Sequence, residues 1–306
     1  MMTLAAGLSY VDLHFLGTPR IIATGVLHGP GGVALIDPGP ASTLPVLRAE
    51  LTRAGMQMAD VRALLLTHIH LDHAGAAGTL VREQPAMRVY VHEKGAPHLV
   101  DPAKLIASAT RLYGDAMDRL WGEFLPVPRE AIATLSGGER VSAGGRDLIV
   151  ACTPGHASHH VGYFSADSGV AFVGDTAGVR VLPGRFILPL TPPPDIDLEA
   201  WRDSLARIRD WHADTLFITH FGPCAPVDAH LTELTHHLDL TSRLARASLA
   251  RPGEDGAREA WFTEEIRGEL RRHMSEGDAQ PYEVAGRFDL NWRGLARYWR
   301  KRISGP

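Results

Sequence analysis

Cysteine is scarce: Cys152 and Cys224 are the only two in 306 residues. That excludes a disulfide framework, and it argues against a structural zinc site, which would usually draw on cysteines. Basic excess is missing as well. The formal net charge is -4, which gives no reason to expect nucleic acid or a membrane surface as partner. No apolar run approaches the length needed to span a bilayer. The first stretch, "MMTLAAGLSYVDLHFLGTPR", has no basic segment, and Asp12 and His14 interrupt its apolar residues. No signal peptide is expected, so the cytoplasm is the default compartment. No internal repeat of solenoid period is visible.

What is present is an ordinary globular composition, 45% hydrophobic and 22% charged, with an unusual sixteen histidines. Short apolar runs ended by turn residues predict strands at "GVALIDPG" (32–39), "ALLLTH" (63–68) and "MRVYVHE" (87–93). Between the first two, Leu44, Leu47 and Leu51 recur at helical spacing, and Gly55 is a fitting stop. Beyond 138 the strands crowd together: "RDLIVACT", "HVGYFSA" and "GVAFVGD". An amphipathic helix over 197–211 and a strand "TLFITH" (215–220) follow. This order predicts an α+β protein with helices layered outside packed sheets. A catalytic domain is expected over residues 1–230, with a helical insertion or lid at about 95–130. A helical appendage follows over 231–306, broken by the polar stretch at 250–259. The proline run "LPLTPPPD" (188–195) reads as a stiff connector.

The stretch "LLLTHIHLDHAGAA" (64–77) sets His68, His70, Asp72 and His73 just past a buried strand. Such a cluster would desolvate and repel itself unless a cation held it. Neutral imidazole and ionised carboxylate are ligands for zinc, iron and manganese, and a set without cysteine favours a catalytic site with positions open to water. Three further strand ends carry the same residue types: His156 after "IVACTPG", Asp175 after "VAFVG" and His220 after "TLFIT". Seven candidates are too many for one tetrahedral ion and suit two ions sharing a bridge.

With "HIHLDH", "PGH", "GD" and "TH" in that order, residues 10–225 resemble the metallo-β-lactamase superfamily. The resemblance implies an αββα sandwich with the site along one rim. It assigns His68, His70 and His156 to a first metal and Asp72, His73 and His220 to a second, with Asp175 as bridge. It also implies that Asp37, in "LIDPGP", orients a ligand imidazole. The expected activity is hydrolysis of a thioester, ester or lactone by a metal-bridging hydroxide, with Asp72 orienting the nucleophile or moving its proton. Two divalent ions, zinc first and iron or manganese next, are the expected cofactors, and a small molecule is the expected substrate. The helical tail is similar in layout to that of glyoxalase-II-like thioesterases, without a matching glutathione-binding signature. A phosphodiesterase or phosphotriesterase on the same site is the alternative, and an iron-dependent oxidoreductase of the superfamily is another. Of macromolecular partners, only a second copy of the chain is kept open.

Plainer readings apply to the remaining candidates. Thr67 and Thr219 read as ordinary strand-end polar residues. Of His159 and His160, one is expected to start the next strand, with a substrate contact as the alternative. His28 lies in a glycine-rich turn, "GVLHGPGG", of the kind that overhangs a rim site. Cys152 and Cys224 read as packing residues. Tyr113, Arg185 and Phe186 belong to segments able to line a pocket, and "NWRGLARYWRKR" (291–302) reads as a solvated amphipathic helix.

Overall fold

The computed structural model describes residues 1–181 and 186–303. Its first sheet has seven strands in sequence order: β1 (Met2–Ala5), β2 (Leu8–Asp12), β3 (Ala23–Gly29), β4 (Gly32–Ile36), β5 (Val61–Leu65), β6 (Arg88–His92) and β7 (Ile132–Leu135). The second sheet is built from β8 (Arg140–Ala143), β9 (Arg146–Cys152), β10 (Val161–Ser165), β11 (Val170–Phe172), β12 (Thr215–Ile218) and β13 (Gly222–Cys224), again in unbroken order. Pairing is antiparallel except for β4 through β7 and for β11 with β12.

Those parallel strands are apolar on both faces, as sheets covered on both sides require. Along β4, Ala34 and Ile36 point into the space between the sheets, where they meet Tyr163, Phe172 and Phe217. Val33 and Leu35 point the other way, into a core shared with Leu44, Leu47 and Leu51 of α1 (Leu44–Arg53). The period of two therefore feeds two cores from one strand. Two short helices, α2 (Leu71–Ala74) and α3 (Ala77–Glu83), follow β5 on the same side.

The segment after β6 forms α4 (Ala96–Val100), α5 (Ala103–Tyr113) and α6 (Met117–Trp121), and helix is absent from 122–128. The expected insertion is thus helical over its first two thirds only. Proline at 126 and 128 removes two amide donors and holds the chain extended.

The outer face of the second sheet, through Phe164, Ala171 and Ile218, packs on α7 (Leu198–Arg209). The same core continues into α8 (Val227–Leu249), α9 (Asp255–His273), α10 (Glu276–Gly286) and α11 (Phe288–Ile303). The layers are helix, sheet, sheet, helix, the expected αββα order. The predicted polar break at 250–259 is shorter than expected, because α9 already begins at Asp255. An acidic first residue suits a helix N-terminus, so the polarity there marks a helix start as well as a loop. No helix among the described residues is long and apolar enough to cross a membrane.

Candidate metal centre

Strands β9, β11 and β12 run in one direction, because β9 and β11 each pair antiparallel with β10 and β12 is parallel to β11. Their C-terminal ends therefore share a rim, which the ends of β4 and β5 face from the other sheet. His156, Asp175 and His220 follow the first three, and Asp37 and the "HIHLDH" cluster follow the other two. Asp72 and His73 sit on α2, whose first flanking residue is His70.

The seven expected ligands converge into two sets. One atom from each of His68, His70, His156 and Asp175 lies within 4.8 Å of the others, and so does one from each of Asp72, His73, Asp175 and His220. Asp175 belongs to both. Its Oδ2 faces His156 Nε2 at 3.4 Å and His68 Nε2 at 3.8 Å, while Oδ1 faces His73 Nε2 at 3.2 Å and His220 Nε2 at 3.4 Å. Asp72 Oδ2 lies 3.3 Å from His220 Nε2 and 3.6 Å from His73 Nε2.

The hydrogen bonds behind these atoms explain which nitrogen points inward. His156 donates Nδ1–H to the Leu190 carbonyl at 2.8 Å, and His220 donates to that of Ile21 at 2.7 Å. His73 donates to Asp37 Oδ2 at 2.8 Å. The Thr67 hydroxyl donates to the same oxygen at 2.7 Å and so accepts from His68 Nδ1, 3.1 Å away. Each of these four rings is left with Nε2 toward the centre. His70 presents Nδ1 instead, 2.9 Å from Nε2 of both His68 and His156. Three imidazole nitrogens this close, one proton at most between any pair, suit a shared cation better than each other.

The second set passes the same test differently. Nε2 of His73, Nε2 of His220 and Oδ1 of Asp175 are buried with no hydrogen-bond partner. Buried polar atoms are almost always paired, so three orphans facing one point fit a cation held between them.

Electrostatics separates the two sets. Burial pushes His68 and His70 well below the usual imidazole range, and their neighbouring imidazoles add to this. A lowered pKa suits a neutral imidazole able to accept a cation. Burial also acts against a proton on His73, but Asp175, Asp72 and Asp37 overcome it and lift that ring well above its usual range. His220 is raised for similar reasons. Burial opposes ionisation of Asp72, yet His73 and His220 hold its pKa down to about 2. The carboxylates that raise His73 and His220 are thus an excess of negative charge at this set, which a cation held between the same atoms would offset.

Asp37 is the hub of the supporting layer. Fully buried, it accepts from Thr67 N at 2.8 Å, from His73 and Thr67 as above, and from the Thr219 hydroxyl at 3.0 Å. Thr67 and Thr219 are therefore not incidental strand-end residues: both aim their hydroxyls at this carboxylate. Asp37 sits at φ 50°, in the left-handed region that Asp and Asn tolerate. Gly174, at φ 46°, is also required: a Cβ there would lie 2.5 Å from Thr67 Oγ1 and 2.7 Å from His160 Nε2.

The model of the Metallo-beta-lactamase superfamily matches residues 17–220, well over half of the chain. The chain belongs to the metallo-beta-lactamase superfamily. Metallo-beta-lactamase fold-containing protein ST1585 of Sulfurisphaera tokodaii is 27% identical over 222 residues, which cover 71% of this chain and 79% of that protein. A hydroxyacylglutathione hydrolase of Synechococcus sp. is 31% identical over 153 residues, 49% of this chain and 47% of that enzyme. The chain therefore spans about half the length of that relative. Among solved structures, metallo-beta-lactamase family protein TTHA1429 from Thermus thermophilus superposes with a TM-score of 0.73 at 24% identity, over 98% of this chain and 95% of that one. That likeness speaks for the superfamily fold.

Above the superfamily's metal rim lies a cavity of about 350 Å³, with His70, Asp72, His156 and Asp175 in its floor. One wall comes from α5 and α6, another from the end of α10 and the start of α11, and a third from Leu190 and Pro192–Pro194 of the connector. Tyr113, expected at a pocket, does line it. Burial, with Asp72 nearby, keeps its phenol protonated. Phe186 does not line it: the ring is fully buried and stacks on His237 at 4.0 Å, because the apolar run over 186–190 turns into the core. Arg185 lies outside the described residues. His28 is also away from the rim. The β3 end nearest the site is Ala23, whose N–H donates to Thr219, while the other end of β3 packs on Gly144. His160 is buried with its ring 4.9 Å from that of His68, and it bonds Thr153 at 2.8 Å. Cys224 is buried, but Cys152 is only partly so, and its thiol donates to the Ser136 carbonyl at 2.9 Å.

Sequence reasoning missed Asn291. It accepts from Thr191 N at 2.7 Å and donates to the Pro189 carbonyl at 3.3 Å. These bonds flank Leu190, whose carbonyl fixes His156. Gly294, one turn on, lets α11 touch the connector: a Cβ there would overlap the Thr191 carbonyl. A polar residue on the face that buries Phe288 and Leu295 is the signal that would have found it.

Proposed function

We propose that the chain is a hydrolase using two divalent metal ions, zinc foremost, to cleave an ester, thioester or lactone. The observation that carries this reading is Asp175, one carboxylate shared between two sets of inward-facing nitrogen and oxygen atoms. His68, His70 and His156 with Asp175 would hold the first ion, and Asp72, His73 and His220 with Asp175 the second. When bound, such a pair polarises the attacked carbonyl and acidifies the water that attacks it.

The chain's own residues do the rest. Asp37 fixes the His73 ring directly and the His68 ring through Thr67, and its bond from Thr219 ties the two sheets together behind the site. Asp72 is ionised and its side chain is 23% exposed. It accepts a hydrogen bond from the attacking water and so orients it, a role its low pKa suits better than storing a proton. The cavity walls exclude bulk water from the carbonyl. Relatives named hydroxyacylglutathione hydrolase support thioester chemistry, and the mostly apolar walls favour it over an anionic phosphodiester.

Metal analysis of the purified protein, with parallel assays on a thioester, an activated ester and an activated phosphodiester, tests the proposal. The expected result is two ions per chain and metal-dependent cleavage of the first two substrates. Asp72→Asn should lose turnover by more than it loses metal. Fewer than one tightly bound ion per chain, or a metal-loaded protein that cleaves only the phosphodiester, would overturn it. Tightly bound iron with oxygen uptake would move the chain to the oxidoreductases.

A further inference from the structure

The cavity above the rim is specific in its chemistry. α5 and α6 contribute Leu105, Leu112 and Leu120, α10 contributes Val284, and the aromatic rings of Phe15 and Trp121 stack at 5.5 Å beside them. Few polar groups line it, and most of those are already engaged. Arg287 grips Asp289 through two hydrogen bonds, at 3.0 and 2.8 Å, and its guanidinium lies 5.6 Å from the centre of the Tyr113 ring. Asn291 spends its amide on the connector. That leaves Arg119, exposed at the mouth, as the other cation of the lining.

A thiol such as glutathione brings two carboxylates and an ammonium. Away from the rim, the described lining offers one uncommitted cation, Arg119, and the hydroxyls of Ser108 and Tyr113 against those three charges, and desolvating charge left unpaired would be costly. It does offer apolar surface at its entrance. Leu16 and Val284 are among the few large apolar side chains left exposed, at 43% and 36%, and both line the mouth. Leu16 also sits at φ 53°, a strained backbone for leucine, and strain of this kind collects at ligand clamps.

We infer that the cavity takes an unbranched hydrocarbon arm of the substrate, with its carbonyl over the metal rim. The substrate class is a medium-chain ester, thioester or lactone. This rests on the hydrolase reading above. At ~30 Å³ for a water-sized unit, the space holds on the order of ten heavy atoms, hence an arm of about six to ten carbons.

Calorimetry with unreactive straight-chain amides, from butanamide to dodecanamide, tests this on the metal-loaded full chain. Affinity should climb about fourfold per methylene and then level off near the tenth carbon. Ala109→Phe, on the α5 wall, should move the plateau to shorter chains. Val284→Trp, at an exposed position that tolerates bulk, should do the same and weaken decanamide about tenfold. Turnover of an acyl series on one small leaving group, beside a series of acetates of longer alcohols, then tells whether the arm is the acyl or the alkyl side. Affinity flat with chain length overturns the inference, and so does tighter binding of a glutathione thioester than of an octanoyl thioester of a small thiol. Climbing amide affinity without any turnover would leave the hydrocarbon site standing and remove the hydrolase reading.

Discussion

Two regions of this protein bury histidines, and only one gathers them. In the helical tail, His230 donates to the Ala177 carbonyl at 2.8 Å and His237 to that of Ile187 at 2.9 Å. Burial pushes both down to about 4, so each remains a neutral packing residue, and no carboxylate among the described residues joins them as at the rim. At the rim, His156 and His220 are tied to backbone carbonyls and His68 and His73 to side chains, and the inward nitrogens of these four and of His70 meet each other and two carboxylates. There His73 and His220 are pushed up instead. A buried histidine with one backbone bond is therefore ordinary. What marks a metal centre is convergence of the second nitrogens on a common point with a carboxylate among them.

The sharpest way to break that contrast is to remove the shared carboxylate. Asp175→Ala should lose both ions in metal analysis, and turnover should fall to the level of the metal-free protein. Next comes the layer behind it. Asp37→Asn keeps the left-handed backbone accessible but removes the charge facing His73. It should weaken the second ion by about 10- to 100-fold in a chelator competition and affect the first ion less. A third change joins the two regions. Asn291→Leu leaves the Thr191 N–H and the Pro189 carbonyl unpaired and loosens the segment between them, whose Leu190 carbonyl holds His156. Denaturant unfolding should show a loss of about 1–3 kcal/mol, and titration a weaker first ion.

The smallest effect on the centre belongs to the tail. His230 is neutral when folded and takes a proton near 6.5 when unfolded, so between that pH and about 4 the unfolded state binds more protons. Stability should fall as pH drops through this window, by roughly 2 kcal/mol at pH 5 for this residue alone. His230→Phe should flatten that part of the pH dependence relative to the unchanged chain and leave metal content as it was.

The rim was legible in the sequence because each candidate ligand follows within a few residues of an apolar strand, so a local pattern of letters carries a spatial fact. The parallel strands β4 to β6 were legible for the same reason. Strands β1 and β2 were not, since Gly7, Ser9 and Asp12 interrupt their apolar residues, and β3 reads as a turn because glycines end it. Thr67 and Thr219 look incidental because their meaning lies in a carboxylate 30 and 182 residues away. The supports of His156 and His220 are backbone carbonyls, which every residue has and no side chain announces. Asn291 acts through such a carbonyl at one remove, and its place on the apolar face with Phe288 and Leu295 marks it as buried without telling what it bonds.

Anomalous diffraction from crystals of the zinc-loaded protein tests the central claim most directly. Two peaks per chain are predicted, one among His68, His70 and His156, the other among Asp72, His73 and His220, with Asp175 touching both. A single peak, or two peaks that Asp175 does not join, would contradict it.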